Sequence, residues 1–236
     1  MRERISTDNV VKLIELTQVE SDGIGHIVWS PDGTVFAVSG TRTARLYVGK
    51  FGSDPAHVLD TKVNGIAFSP DSKRMVSVGD NGAVKIWDIS FIQFEIKECL
   101  SLAGHTGPVN TVVFSPDGKR FATGGADGLI CIWNGTDDKP LAIFKGHERA
   151  VKSVDFAIRG NVLVSGGEED NIRLWDAIAE TEGTVFATHN GGVCDLCSNP
   201  PGTMIASAGC DGSVRLWDVL SGEQYAVIKG HDGGVN

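Results

Sequence analysis

Long apolar runs are missing from this 236-residue chain: none approaches the ~18 consecutive residues that a membrane span requires. The opening stretch, MRERISTDNVVKLIEL, carries basic residues but lacks an apolar core of signal-peptide length. A Gly-X-Y period is absent although glycine is plentiful at 30 residues. That excludes a collagen-like chain and assigns the surplus to tight turns. Positive charge is also scarce. The 21 Lys and Arg against 30 Asp and Glu leave a net charge of −9, which argues against wholesale binding of phosphate backbones, since that affinity comes from clustered cations. The five cysteines, Cys99, Cys131, Cys194, Cys197 and Cys210, are odd in number and lie in or near apolar strands. They suit a reducing compartment better than a disulfide scaffold, with the cytoplasm as the default expectation. No Gly-x-Ser-x-Gly nucleophile elbow occurs. With 41% apolar and 22% charged residues, the composition is that of an ordinary globular chain long enough for one large core.

What is present is a repeat. Gly104 to Trp133, GHTGPVNTVVFSPDGKRFATGGADGLICIW, reads as three short strands separated by a Ser-Pro-Asp-Gly turn and an Ala-Asp-Gly turn. Residues 24–47, 63–88, 151–176 and 193–218 share the layout. The aromatics closing the third strands, Tyr47, Trp87, Trp133, Trp175 and Trp217, are spaced by 40, 46, 42 and 42 residues. A fourth strand fits every interval, as in Leu141–Phe144 and Tyr225–Ile228, and the longest interval holds an extra alternating stretch at 89–101. Residues 1–22 form a lead-in, with a strand favoured over residues 10–19, and residues 229–236 open a further repeat.

A period near ~40–45 residues, four strands and Gly-His…Trp-Asp punctuation mark a β-propeller blade. The chain resembles the WD-repeat family, bacterial in style from its near-regular Ser-Pro-Asp-Gly turns. The resemblance rests on Ile86-Trp87-Asp88, Ile132-Trp133-Asn134, Leu174-Trp175-Asp176 and Leu216-Trp217-Asp218, with Gly-His at 104–105, 146–147 and 230–231. It implies one all-β propeller domain over residues 1–236, made of five four-stranded blade equivalents and the start of a sixth. A ring of blades must close or leave an apolar face and a bare edge. The favoured expectation is a chain lacking one or two blades. Completion by a second chain, or closure at five blades with residues 229–236 as a tail, are the alternatives.

Polar residues recur at matched positions: His105, Thr123, Asp127 and Trp133 in the third repeat, and His189, Ser207, Asp211 and Trp217 in the fifth. The fourth keeps His147, Ser165 and Trp175 but has Glu169 in place of Asp. The resemblance implies a buried chain of hydrogen bonds from Trp through Ser/Thr and His to the acid. The chain is expected to be complete in repeats three and five, altered in four, and partial or absent in one and two, where Ser39 and Ser77 are the candidates. A Ser-His-Asp type nucleophile is the competing reading of these groups. Repetition counts against it, because catalysis needs one site. Cys194-x-x-Cys197 is read as ordinary strand cysteines, since no second such pair exists to complete a metal set. Glu168-Glu169-Asp170 is read as a solvated turn, and Lys85, Arg173 and Arg215 as a blade-surface repeat.

Function is expected where the copies differ. Asp80, Ala126, Glu168 and Cys210, just before each turn, and Asn64, Asn110, Lys152 and Cys194, just after each first core valine, form the candidate partner face. Their mixture of neutral, acidic and single basic residues fits a protein or peptide partner, with no nucleic acid, membrane, metal or cofactor. Homo-oligomers are expected only if the ring is completed in trans. The reading is a non-enzymatic interaction scaffold. The alternative is a regulatory or substrate-recruiting domain of a larger enzyme or kinase.

Overall fold

The computed structural model describes residues 23, 25–48, 55–59, 62–90, 95–179, 181–229 and 233–235. The strand expected at residues 10–19 and the Gly-His at 230–231 lie outside them. The described residues form five antiparallel four-stranded sheets, each built from consecutive strands. Blade one is β1 (His26–Trp29), β2 (Val35–Ser39), β3 (Ala44–Val48) and β4 (His57–Leu59). Blade two is β5 (Gly65–Phe68), β6 (Arg74–Val78), β7 (Val84–Ser90) and β8 (Glu95–Leu102). Blade three is β9 (Val109–Phe114), β10 (Phe121–Gly125), β11 (Ile130–Trp133) and β12 (Ala142–Phe144). Blade four is β13 (Val151–Ala157), β14 (Val162–Gly167), β15 (Asn171–Asp176) and β16 (Thr181–Thr188). Blade five is β17 (Val193–Ser198), β18 (Met204–Gly209), β19 (Ser213–Asp218) and β20 (Gln224–Lys229).

The Ser-Pro-Asp-Gly turns are closed by their own side chains. In blade three the Ser115 hydroxyl donates to Asp117 at 2.6 Å and accepts from the Arg120 N–H at 3.0 Å. Ser30 with Asp32, and Ser69 with Asp71 in the Ser-Pro-Asp-Ser turn of blade two, repeat the donation at 2.6 Å. The turn therefore satisfies its polar groups locally.

Sheets with two apolar faces must stack, and the described core is four clusters, each shared between consecutive blades. Ala122, Ile130, Ile132, Ala142 and Phe144 of blade three, for instance, pack on Val151, Val154, Phe156, Leu163 and Trp175 of blade four. First strands meet in order, β1 with β5, β5 with β9, β9 with β13 and β13 with β17. Polar staples reinforce each join. Asn64 Nδ2 donates to the Val109 carbonyl at 3.0 Å and Asn110 Nδ2 to that of Val151 at 2.8 Å. At the opposite end Arg74 donates to the Gly118 carbonyl at 2.8 Å, and Arg120 to the carbonyls of Ala177 at 2.6 Å and Gly160 at 3.0 Å. After β20, the Val235 N–H donates to the Gly209 carbonyl at 3.1 Å, as the Val109 N–H does to Gly79 at 3.1 Å. Val235 thus stands against blade five as the first residue of β9 stands against blade two.

The register corrects one assignment. Phe36 pairs with Tyr47 as Phe121 pairs with Trp133, so Val38, not Ser39, occupies the position of Thr123. Ser39 faces the other way, and its hydroxyl accepts the His26 N–H at 2.8 Å. A shift of one residue moves a strand side chain to the opposite face.

Candidate interaction face and the buried hydrogen-bond chains

Three blades carry the same connected polar chain. In blade three, Trp133 Nε1 donates to Thr123 Oγ1 at 2.9 Å, Thr123 Oγ1 lies 2.8 Å from His105 Nε2, and His105 Nδ1 lies 3.0 Å from Asp127. Blade four gives 2.8, 2.6 and 2.8 Å through Trp175, Ser165, His147 and Glu169. Blade five gives 2.9, 2.7 and 3.1 Å through Trp217, Ser207, His189 and Asp211. Glu169 therefore occupies the place of the aspartates with no break in the chain. Among the described residues, blade two has only the first link, Trp87 Nε1 to Ser77 Oγ at 2.8 Å.

Proton positions follow from the end groups. An indole nitrogen only donates and an ionised carboxylate only accepts. The hydroxyl thus spends its lone pair on the indole and its proton on Nε2, and Nδ1–H donates to the carboxylate. In this arrangement a neutral imidazole is held as a single tautomer, with its proton on Nδ1.

Electrostatics agree. Burial pushes the pKa of His147 and His189 below the ordinary value of 6.5, against the opposing pull of Glu169 and Asp211. Burial would raise Asp127, but the Thr106 N–H, His105 and the Leu129 N–H outweigh it and keep the carboxyl below its usual range. Glu169 and Asp211 are lowered in the same manner, burial being overcome by their hydrogen-bond donors.

Glycines make room for these groups. A Cβ on Gly104 would lie 2.6 Å from Cη2 of Trp133, and one on Gly125 would lie 2.5 Å from both His105 Nδ1 and Asp127 Oδ1. The Gly-His pair is thus a steric unit: the glycine clears the indole, and the histidine reaches the hydroxyl beneath it.

The nucleophile reading fails on access. Thr123 and Ser165 are 0% exposed and Ser207 1%, while the three imidazoles are 0% exposed. No substrate carbonyl reaches a hydroxyl sealed between an indole and an imidazole.

Sequence reasoning missed two further partners. Arg173 Nε donates to Glu169 at 3.2 Å, and Arg215 donates to Asp211 at 2.8 Å. The signal was a basic residue four positions after each acid. Lys85, grouped with them by sequence, instead pairs with Glu98 of its own blade at 2.7 Å. The Glu168-Glu169-Asp170 stretch joins β14 to β15 with Glu168 and Asp170 exposed, as expected of a solvated turn, but Glu169 is turned inward. Glu168 pairs with Lys152 at 2.9 Å, Glu169 serves His147, and Asp170 accepts the Gly191 N–H at 2.9 Å. Each carboxylate is committed to a different neighbour.

The positions at which the copies differ stand in matched pairs at one end of the blades, the end that carries the histidines. Asn64 Nδ2 donates to Asp80 at 2.8 Å, and Asp80 also pairs with Lys62 at 2.8 Å. Cys194 Sγ lies 2.7 Å from Cys210 Sγ. Asn110 reaches across to blade four, and Ala126 leaves its own position without a polar tip. Register shifts at Val151/Ser153 and Val193/Asp195 locate Lys152 and Cys194 on β-bulges, which re-aim a side chain out of the ladder. Between blades four and five a cleft of about 460 Å³ opens, lined by Arg149, Lys152, Glu168, Val193, Cys194 and Cys210. Cys197, two residues beyond the bulge pair, faces a different cleft with Leu196, Ala206 and Val214. The Cys-x-x-Cys spacing does not make the thiol pair. Among the described residues, no group of three or more His, Cys, Asp or Glu is arranged to hold a metal ion.

The family model described as "WD domain, G-beta repeat" matches residues 51–88, 96–134, 138–176 and 180–218, well over half of the chain. The matched units are out of step with the sheets. The unit 96–134 starts in β8 of blade two and ends at the close of β11 in blade three. Each repeat thus supplies the outer strand of one blade and the three inner strands of the next. Among curated proteins, Topless-related protein 2 of Arabidopsis thaliana is 32% identical over 96 residues, 38% of this chain and 8% of that protein. Protein TOPLESS of Arabidopsis thaliana is 33% identical over 73 residues, 28% and 6% respectively. Protein TPR3 of Oryza sativa subsp. japonica is 30% identical over 94 residues, 36% and 8%. The chain spans less than a tenth of the length of these relatives. They are plant proteins, so the bacterial style expected from the turns finds no support among them.

Proposed function

Because this chain belongs to the WD domain, G-beta repeat family, we propose that it is a non-enzymatic scaffold that binds a protein or peptide partner through the end of the blades carrying Asn64, Asp80, Lys152, Glu168, Cys194 and Cys210. The observation that carries the reading is a division of labour. Residues shared by the blades are sealed inside and satisfy one another, whereas residues that differ between blades gather at one end. Lys152 and Glu168 keep 42% and 51% of their side chains exposed there. Rigid sheets with variable exposed ends suit recognition. The mixed charge along this end, Lys62 and Asp80 beside Lys152 and Glu168, favours a polypeptide with both signs of charge over a polyanion.

The test is capture of partners by the full chain, identified by mass spectrometry, with Lys152→Glu and Glu168→Lys compared against Asp137→Lys. Asp137 is exposed in the connection at the opposite end of blade three. Loss of a partner at least about tenfold with either face variant, and none with Asp137→Lys, is the expected result, in keeping with charge complementarity setting specificity. Retention of every partner by both face variants overturns the assignment of this face.

A further inference from the structure

Cys194 and Cys210 are sixteen residues apart in sequence, yet their sulfurs are 2.7 Å apart. The backbone explains the approach. The Cys210 N–H donates to the Gly192 carbonyl at 3.0 Å, while the register shift between Val193 and Asp195 turns Cys194 outward. The same two positions meet in other blades with other chemistry: Asn64 with Asp80 at 2.8 Å, and Lys152 with Glu168 at 2.9 Å. Contact at these positions is therefore a property of the blade end, and blade five fills them with two thiols. Cys210 is exposed and Cys194 partly so, and both line the cleft between blades four and five.

We propose that Cys194 and Cys210 form a dithiol modification site, converted by small disulfides of the glutathione class into a disulfide within blade five. The chemistry does not depend on what the face binds. The Cys210 thiolate attacks one sulfur of oxidised glutathione, the glutathione S–S bond breaks, a mixed disulfide forms on Cys210, and one glutathione thiolate leaves. Cys194 then gives its proton to solvent and attacks the Cys210 sulfur, expelling the second glutathione. Two protein thiols are oxidised and one glutathione disulfide is reduced to two thiols. The order follows exposure: burial, and then the neighbouring Cys210, push the Cys194 thiol up to about 11, so it is the poorer first nucleophile. Closure needs a small movement, since a disulfide sets its sulfurs at about 2.05 Å.

The test uses the full chain carrying Cys99→Ser and Cys197→Ser, which leaves three of the five cysteines, treated with oxidised glutathione under native conditions. Thiols titrated after subsequent denaturation should fall from three to one with no glutathione retained, and peptide mapping should recover Cys194 linked to Cys210. Cys131, buried and pushed up to about 12 by that burial, should be the survivor. Adding Cys194→Ser should trap glutathione on Cys210. An unchanged thiol count, or stable glutathione on both cysteines without closure, overturns the proposal. A separate chain carrying only Cys210→Ser tests the Cys-x-x-Cys alternative. Closure of Cys194 with Cys197 there should be at least about tenfold slower, as expected where the attacking sulfur is not already in place, and closure at an equal rate also overturns the proposal.

Discussion

Replacing Thr123 by valine removes one hydroxyl and almost no volume, so it isolates the link between indole and imidazole in blade three. Trp133 Nε1–H then has no acceptor at 2.9 Å, and His105 Nε2 no donor at 2.8 Å. The histidine cannot escape by changing tautomer, because Asp127 accepts and does not donate. Two buried polar groups are left unsatisfied at about 1–3 kcal/mol each, so the loss should be roughly 3 kcal/mol once the added apolar methyl is credited. For a chain of this size that is about 6–12 °C in Tm. Thr123→Ser is the control. It keeps the hydroxyl and loses one fully buried methyl, which costs about 1 kcal/mol. Urea unfolding followed by tryptophan fluorescence, with midpoint and slope both fitted, measures the difference. Equal midpoints for the valine and serine variants would refute the hydrogen-bond chain as a source of stability. Blade one shows when valine is tolerated: Val38 holds this position beside Tyr47, where no indole N–H asks for an acceptor.

Two further expectations concern the same chains. Since the folded-state pKa of His147 and His189 lies below 6.5, the unfolded chain binds protons first on acidification. Their stabilising contribution is present above 6.5 and is lost as pH falls below it. Asp127, Glu169 and Asp211, lowered from 3.8, 4.5 and 3.8, add a second loss as pH falls through their folded values. Asp155, raised by burial against its Ser198 hydrogen bonds, works in the opposite sense. Urea midpoints should therefore decline just below pH 6.5, and a midpoint that rises there contradicts the neutral-imidazole assignment. Gly125→Ala should cost roughly 1–3 kcal/mol, the range for overpacking a filled site, because its Cβ would fall 2.5 Å from both His105 Nδ1 and Asp127 Oδ1. Thermal unfolding of that variant checks it, and a wild-type Tm would show that the pair is looser than described.

The blade architecture was legible because it is written several times over. The closing aromatics mark each third strand, and Phe121 and Trp133 share one strand pair as Leu163 and Trp175 do. The strand expected at Tyr225–Ile228 lies within Gln224–Lys229, and that at Leu141–Phe144 begins one residue later, at Ala142. Reading failed where one residue of register decided the outcome, as with Ser39 and Val38. It also failed where partners are a whole repeat apart. Ser153 donates to Asp195 at 2.7 Å, and the Ser198 hydroxyl donates to Asp155 at 2.8 Å, joining blades four and five across 42 and 43 residues. No local pattern announces such bonds. The face positions were identified separately, but their pairing was not, because pairing follows from the bulge and turn geometry that the period alone does not encode.

The placement of tryptophan has a spectroscopic consequence. Of the five tryptophans, Trp87, Trp133, Trp175 and Trp217 each tie one indole N–H to a hydroxyl inside a different blade, while Trp29 is 45% exposed. Four indole protons therefore exchange with solvent only when their own blade opens, and the fifth side chain meets solvent directly. In a proton spectrum recorded over time in heavy water, these four resonances become independent clocks for blades two to five. They would show whether the sheets loosen one after another or all at once.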